Sequence, residues 1–396
     1  MLLKGKYAEA VVCTDFEESV ESEAISQIIN ILNQPMMEGV KVRIMPDVHA
    51  GAGICIGYTA TMNNYVVPNF IGVDIGCGLT ALPLPYPFAA NLQYDVLDKI
   101  VRANIPFGQA VNSDVNLDEL ETVFYSLPQR QRFYSEFDEI QKHIEDDCNK
   151  LGIDSGRVLK GIGSLGGGNH FISINRGSGK DGYNEFHLVV HSGSRNYGKC
   201  IAEFHQKRAG EKKEKSTGFD YLEGINREFY LADMKFAQFY AALNRRVILY
   251  RLARLLSVPY EKDYLRESVH NFIDIDGDNI IRKGAISAKK GEPVMIPLSM
   301  ADGVLFGYGK GNPDWNCSAP HGAGRLMSRS KAKQAISLAD YQRRMDEAGV
   351  WTSCVGIETL DESPQAYKDP AIIVTSIVES VEVVDRWREV YNFKAS

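Results

Sequence analysis

Apolar residues recur at three- and four-residue steps along residues 19–32, 94–105, 129–151 and 229–256, and this spacing predicts helices there. A further helix is marked by its ends: Ser337 stands where an N-cap belongs, Asp340 falls in the first turn, and Gly349 sits where a left-handed C-cap would close the last turn. Short apolar runs at residues 41–45, 69–73, 79–82, 185–190 and 371–384 predict strands instead. Helices and strands are interspersed without a regular βαβ beat, and no repeat, low-complexity tract or Pro/Gly/Ser linker separates them. The pattern predicts an α+β chain in which residues 1–396 form a single large domain, with the lysine-rich residues 210–217 on a surface loop.

Composition narrows this picture. With 44% hydrophobic and 24% charged residues the chain is globular in character. No stretch approaches the ~20 apolar residues of a spanning helix, and the first residues lack the apolar core of a signal peptide, so a cytoplasmic protein with no membrane partner is expected. The seven cysteines are scattered without CxxC pairs, which argues for a reducing compartment and for any functional thiol acting singly. A net charge of −7 excludes bulk electrostatic coating of nucleic acid. A nucleic-acid partner would need a local basic cleft, for which Arg325, Arg329, Lys331 and Lys333 form a candidate run or simply a solvated face.

The chemistry lies where glycines surround histidines, asparagines and an aspartate, in loops that follow apolar strands. In IGVDIGCGL (71–79), Asp74 and Cys77 could face one borderline-soft divalent ion; the plainer reading is a turn aspartate and a buried cysteine. GSLGGGNHF (163–171) places Asn169 and His170 after a flexible loop able to wrap phosphates, though it lacks the Gly-Lys-Ser/Thr ending of a P-loop. HLVVHSGSR (187–195) is a strand ending in His191, then a turn, then Arg195, whose guanidinium could fork onto phosphate oxygens. His187 shares a strand face with His191 and is read as a core histidine. SVHNF (268–272) supplies His270, ahead of RKGA (282–285). APHGAGR (319–325) sets His321 on a loop of small residues expected to open a basic helix, as suits phosphate binding at a helix N-terminus. A neutral imidazole there can be a nucleophile if a carboxylate orients its other nitrogen, and Asp47 in MPDVHAG (45–51) is the candidate.

Taken together, IMPDVHAG, VDIGCGL, GSLGGGNHF, HSGSR, HN, RKGA and HGAGR resemble, in this order and nearly end to end, the motifs of the RtcB RNA ligase family. The resemblance implies mixed β-sheets flanked by helices around a central metal and nucleotide cleft. It implies one or two Mn²⁺ ions held by Asp74, Cys77, His170, His191 and His270. It also implies that His321, oriented by Asp47, attacks the α-phosphate of GTP and becomes guanylylated. The GMP moiety then passes to an RNA 3′-phosphate, made from a 2′,3′-cyclic phosphate where needed, and a 5′-hydroxyl end displaces it in tRNA splicing or RNA repair. Asn169, His170, Asn271, Pro297, Ser299, Met300, Gly322, Ala323, Gly324 and Lys394 would contact the nucleotide, with Arg195 and Arg325 against RNA phosphates. An activating protein accompanies some family members.

The chain departs from the family pattern at Ser173, where a glutamate is usual, and at Val304, where a serine is usual; both changes are expected to alter the nucleotide pocket. Two other readings fit the residues alone. A dinuclear metal phosphoesterase would use the same carboxylate and histidines without needing His321 as a nucleophile. An RNA-end-binding repair paralogue would keep the pocket and lack turnover.

Overall fold

The computed structural model describes residues 1–128, 132–179, 184–211 and 218–394. Among these the strands run, in chain order, β1 (Leu2–Lys4), β2 (Glu9–Val12), β3 (Val42–His49), β4 (Ile56–Thr61), β5 (Gly78–Leu84), β6 (Phe171–Ser178) and β7 (Asn184–Ser192). They continue as β8 (Arg266–Val269), β9 (Asn271–Ile273), β10 (Ile280–Lys283), β11 (Ala285–Ser287), β12 (Pro293–Ser299), β13 (Gly303–Gly309), β14 (Ser318–Pro320) and β15 (Val381–Lys394). One mixed sheet has the order β1-β2-β3-β4-β10-β9, with β2 and β3 parallel and its other pairs antiparallel. A seven-stranded antiparallel sheet has the order β12-β13-β15-β6-β7-β5-β8, and β11 pairs with β14.

The seven-stranded sheet curls until its two edges meet, where the Met295 amide donates to Ser268 Oγ at 2.9 Å. Strict alternation then sorts its side chains. Leu188 and Val190 of β7, Ile172 and Ile174 of β6, and Tyr391 and Phe393 of β15 turn outward into an apolar core against helices. The concave face packs Leu79, Phe171, Val189, Met295, Val304, Phe306 and Trp387 at one end. His191 and Lys394 belong to the same inner alternation.

The helix Gly224–Leu255 is buried along most of its length because it serves two cores at once. Its Phe236 and Val247 lie in the core of the six-stranded sheet, and its Ile248, Leu249 and Leu252 in that of the curled one. The chain crosses between the sheets at single residues: His270 separates β8 from β9, and Gly284 separates β10 from β11. That seam is where the glycine-rich motifs converge.

The helix over Leu338–Ala348 has the expected caps, with Ser337 accepting from the Asp340 amide and Gly349 left-handed at φ 67°. Other expectations need correction. Residues 69–73 are no strand: Pro68 starts a 3₁₀ turn through Phe70, and Gly72 at φ 89° breaks the extended path. Residues 371–384 divide, because Asp369 caps and Pro370 opens the short helix Pro370–Ser376 before β15 begins at Val381. The stretch 129–151 is helical only from Phe137; residues 129–131 lie outside the described residues. The first helix starts at Ser22, since Glu17–Ser19 form a 3₁₀ turn. Gly210 closes the helix Arg195–Gly210, and residues 212–217 of the expected surface loop lie outside the described residues.

Candidate active site

Asp74 and Cys77 stand in the turn just before β5, His170 just before β6, His191 near the end of β7, and His270 at the sheet-to-sheet crossing. Cys77 Sγ lies 3.4 Å from His170 Nε2 and 3.3 Å from His191 Nε2, and Asp74 Oδ2 lies 3.0 Å from His170 Nε2. Two donor sets result, Cys77 with His191 and His270, and Asp74 with Cys77 and His170, and within each the ligand atoms lie within 4.8 Å of one another. They share the thiol.

Neighbouring backbone sets the tautomers. His170 Nδ1 bonds the Leu165 carbonyl at 2.9 Å and His191 Nδ1 the Asn169 carbonyl at 3.1 Å, so both rings aim Nε2 at the sulfur. Burial, reinforced by neighbouring imidazoles, holds His191 and His270 well below the usual imidazole range, so both are neutral. Burial would raise Asp74, but the adjacent His170 holds its carboxyl at about 2. Burial and then Asp74 push the Cys77 thiol far up. A divalent cation between these donors would reverse that penalty on the thiolate, and it would give the buried Nδ1 of His270, which has no hydrogen-bond partner among the described residues, a role. The residues fit a soft-to-borderline divalent metal.

Sequence reasoning missed what holds this cluster. Arg245, fully buried on the long helix, donates to the Gly76 carbonyl at 2.7 Å, the Ser192 carbonyl at 3.1 Å and Thr80 Oγ1 at 2.9 Å. Its neighbour Asn244 accepts from the Gly163 amide at 2.8 Å and donates to Ser192 Oγ at 3.0 Å. One helical turn thus ties together three motif loops. The run Asn244-Arg245-Arg246, set between the apolar stretches Phe239–Leu243 and Val247–Leu249 of that helix, was the available signal.

His321 follows β14. Its Nδ1 meets Asp47 Oδ2 at 2.6 Å, its own amide reaches the same oxygen at 3.1 Å, and Asp47 is fully buried. The other ring nitrogen, Nε2, is thereby left as the acceptor or nucleophile. Gly324 makes the approach possible: at φ 76°, a Cβ there would stand 2.2 Å from the Asp47 carbonyl oxygen. The His321 and His270 rings lie 4.8 Å apart, centroid to centroid, so His321 abuts the first donor set. Asn271 and Gly284 brace this contact, with Asn271 donating to the Asp74 carbonyl at 3.0 Å and accepting from the Gly284 amide at 2.9 Å.

A cavity of about 690 Å³ opens over this arrangement. Among its lining residues are Asn169, Pro297, Ser299, Met300, Gly322, Ala323 and Lys394, as expected, together with Glu362 and Glu389, which were not. Lys394 Nζ pairs with Glu362 Oε2 at 2.7 Å, and Ser299 Oγ donates to Asp302 at 2.6 Å.

Two expectations are corrected, a helix N-terminus at His321 and a nucleotide cavity altered at Ser173 and Val304. His321 is not at a helix N-terminus: the basic helix begins at Arg329, capped by Ser328. Arg325 is committed to the Met327 and Asp361 carbonyls and stacks on Tyr367. Arg195 bonds Ser164 Oγ and the Gly108 carbonyl and lines a different cavity. His187 is a core residue, as expected, stacked 4.0 Å from Trp387 and bonded to Arg266. Neither Ser173 nor Val304 lines the cavity: Ser173 accepts from Asn175 within the sheet, and Val304 packs with Trp387.

Comparison with known proteins agrees with the motif resemblance. The family described as "tRNA-splicing ligase RtcB" matches residues 27–395. The chain is 31% identical to the RNA-splicing ligase RtcB of Escherichia coli K12, over 94% of each chain. It is 26% identical to the tRNA-splicing ligase RtcB of Nanoarchaeum equitans, over 94% of this chain and 92% of that one. Among the described residues no helix is long and apolar enough to cross a membrane.

Proposed function

Since the chain belongs to the RtcB family of RNA ligases, we propose that it acts as a single ligase domain that uses GTP and Mn²⁺ to join RNA 3′-phosphate or 2′,3′-cyclic phosphate ends to 5′-hydroxyl ends through a guanylylated His321. The observation that carries this reading is the Asp47–His321 pair at 2.6 Å, set against a cluster of histidines and a thiol. A phosphoesterase would not need His321 as a nucleophile, so a covalent nucleotide on that histidine separates the two readings.

Asp47 holds the proton on His321 Nδ1, so the Nε2 lone pair points away from Asp47. Attack by Nε2 on the α-phosphorus forms an N–P bond as the bond to pyrophosphate breaks. Asp47 then stabilises the charge that develops on the ring. Cys77, His191 and His270 would hold one ion, and Asp74, Cys77 and His170 a second. When bound, the metal supplies charge neutralisation at the phosphate oxygens. Gly322 to Gly324, Asn169 and Lys394 would contact the nucleotide, and Pro297 and Met300 would give its apolar flank; all of them line the cavity.

The test is incubation with Mn²⁺ and α-labelled GTP, ATP or CTP in parallel, followed by a denaturing gel and peptide mass spectrometry. GMP on His321 supports the reading. An adduct from another nucleotide keeps the mechanism and revises the cofactor. No adduct would leave the hydrolase or the end-binding protein.

A further inference from the structure

Two of the carboxylates that line the cavity beside His321 are buried, Glu362 and Glu389, and they are bonded differently. Burial would raise Glu362, but Lys394, at 2.7 Å, and Arg329 hold it at about 2. Glu389 has no such partner. Its Oε2 accepts from Asn392 Nδ2 at 2.8 Å, and among the described residues no cation bonds it. Burial pushes its carboxyl to about 8, against the opposing pull of Asn392 and Lys394. Asn392 is fully buried and lines the same cavity, and its Oδ1 has no hydrogen-bond partner among the described residues. Buried acceptors without donors are costly, so a pair of them on a cavity wall points to a ligand that brings donors.

Strand pairing sets this wall in rows across the inner face. Lys394, Phe171 and His191 form the row at the metal-ligand cluster, Asn392, Ser173 and Val189 the next, and Glu389, Asn175 and His187 the third. Val390 is the extra residue of the bulge, and it returns Glu389 to the inner alternation. At ~3.4 Å per residue, the second and third rows lie about 7 Å and about 14 Å along the strands from His191. Opposite Glu389, Asn175 donates to Ser173 Oγ at 2.7 Å, so β6 presents no carboxylate here. Trp387 follows on β15, stacked on His187 at 4.0 Å and on Phe306 at 4.8 Å, and does not line the cavity. A nucleotide with its α-phosphate at His321 and the donor sets would extend its base along these rows.

We propose that Glu389 and Asn392 read the base of the nucleotide, accepting from the adjacent N1–H and 2-amino groups of guanine. This rests on the ligase reading above. Guanine is the RNA base whose Watson–Crick edge sets two donors side by side, which neighbouring acceptors satisfy. Adenine places the acceptor N1 beside its amino group, so one acceptor of the wall would face another, and a buried mismatch of that kind rejects the wrong partner. Hydrogen bonds to the ionised form draw a carboxyl back toward its ordinary range, so the donors of guanine would offset what burial does to Glu389.

The test titrates the full-length protein in Mn²⁺ with GMP, IMP and AMP by calorimetry, beside label transfer from α-labelled GTP and ATP. Wild type should bind GMP about tenfold or more tighter than AMP, and tighter by a similar factor than IMP, which lacks only the 2-amino group. Glu389→Gln keeps the shape but sets a donor beside an acceptor, the pattern that suits adenine. GMP affinity should fall about tenfold or more while AMP affinity holds or rises, and the KM for GTP in label transfer should rise by a similar factor with kcat little changed. An equal loss of GMP and AMP binding in Glu389→Gln would make the residue structural and overturn the assignment. Equal binding of GMP and IMP by wild type, a result that needs no variant, would overturn it as well. Absence of any nucleotide adduct on the wild type would instead remove the ligase reading on which it depends.

Discussion

His321 Nδ1 and Asp47 Oδ2 face each other at 2.6 Å from positions 274 residues apart, with the carboxylate fully buried and the imidazole at the cavity edge. Gly57 of β4 backs the carboxylate, where a Cβ would stand 3.1 Å from Asp47 Oδ1, and Gly324 packs on the Asp47 backbone. Asp47→Asn keeps the shape and can present an amide N–H to Nδ1, favouring the wrong tautomer. Nucleotide transfer to His321 should fall by on the order of tenfold to a hundredfold, the usual cost of losing an orienting partner. The rate of label incorporation measures this, and an unchanged rate would deny Asp47 its orienting role.

Gly324→Ala and Gly349→Ala separate strain at the site from strain elsewhere. Both glycines are left-handed, at φ 76° and 67°, so both substitutions should cost more than about 1 kcal/mol of stability. Only at Gly324 would the new Cβ strike the Asp47 carbonyl oxygen; at Gly349 it meets nothing within 4 Å. Adduct formation should therefore collapse in the first variant and survive in the second, as read from thermal unfolding beside label transfer.

Cys77 is common to both donor sets, whereas His270 belongs to one. Cys77→Ala should weaken every bound Mn²⁺, by more than the roughly tenfold to hundredfold loss typical of an outer-shell partner. His270→Ala should abolish one ion and spare the other. Calorimetric titration of Mn²⁺ distinguishes these, and identical stoichiometry and affinity in Cys77→Ala would remove the thiol from the site.

Glu389, buried in the cavity wall, is pushed by burial from 4.5 to about 8, against the opposing pull of Asn392 and Lys394. Its native form holds a proton that the unfolded chain has released. The stability linked to that proton is complete below pH 4.5, declines from there, and is gone once the pH passes about 8. Glu389→Gln should flatten the fall in thermal stability across that window. A wild-type profile that rises with pH there, or a variant profile of the same slope, would show Glu389 ionised in the fold.

The reactive residues were legible from sequence because each is embedded in glycines that a chain places only where backbones must come close: Asp74 and Cys77, Asn169 and His170, His321 to Gly324. The capped helix from Leu338 was legible for a similar reason, since its two ends are specified by local hydrogen bonds and backbone conformation. Residues 371–384 were misread because valine and isoleucine runs serve a helix as well as a strand, and Asp369 and Pro370 decide between them.

Partners that meet only across the fold carried no linear mark. Arg245 finds the carbonyls of Gly76 and Ser192, and Lys394 finds Glu362, each drawn from distant parts of the chain, whereas the Asp47–His321 pair was expected from its motifs. Which strand face turns toward the site depended on how β15 and β6 pair around the bulge after Glu389. Ser173 and Val304 lie on the same inner face but outside the cavity lining, whereas Glu389, Asn392 and Lys394 reach it. Sequence by itself marked the candidate donors and the candidate nucleophile, because their chemistry and their glycine flanks are local. Tertiary structure decided which atoms face one another, because burial and strand register are properties of the assembled sheets.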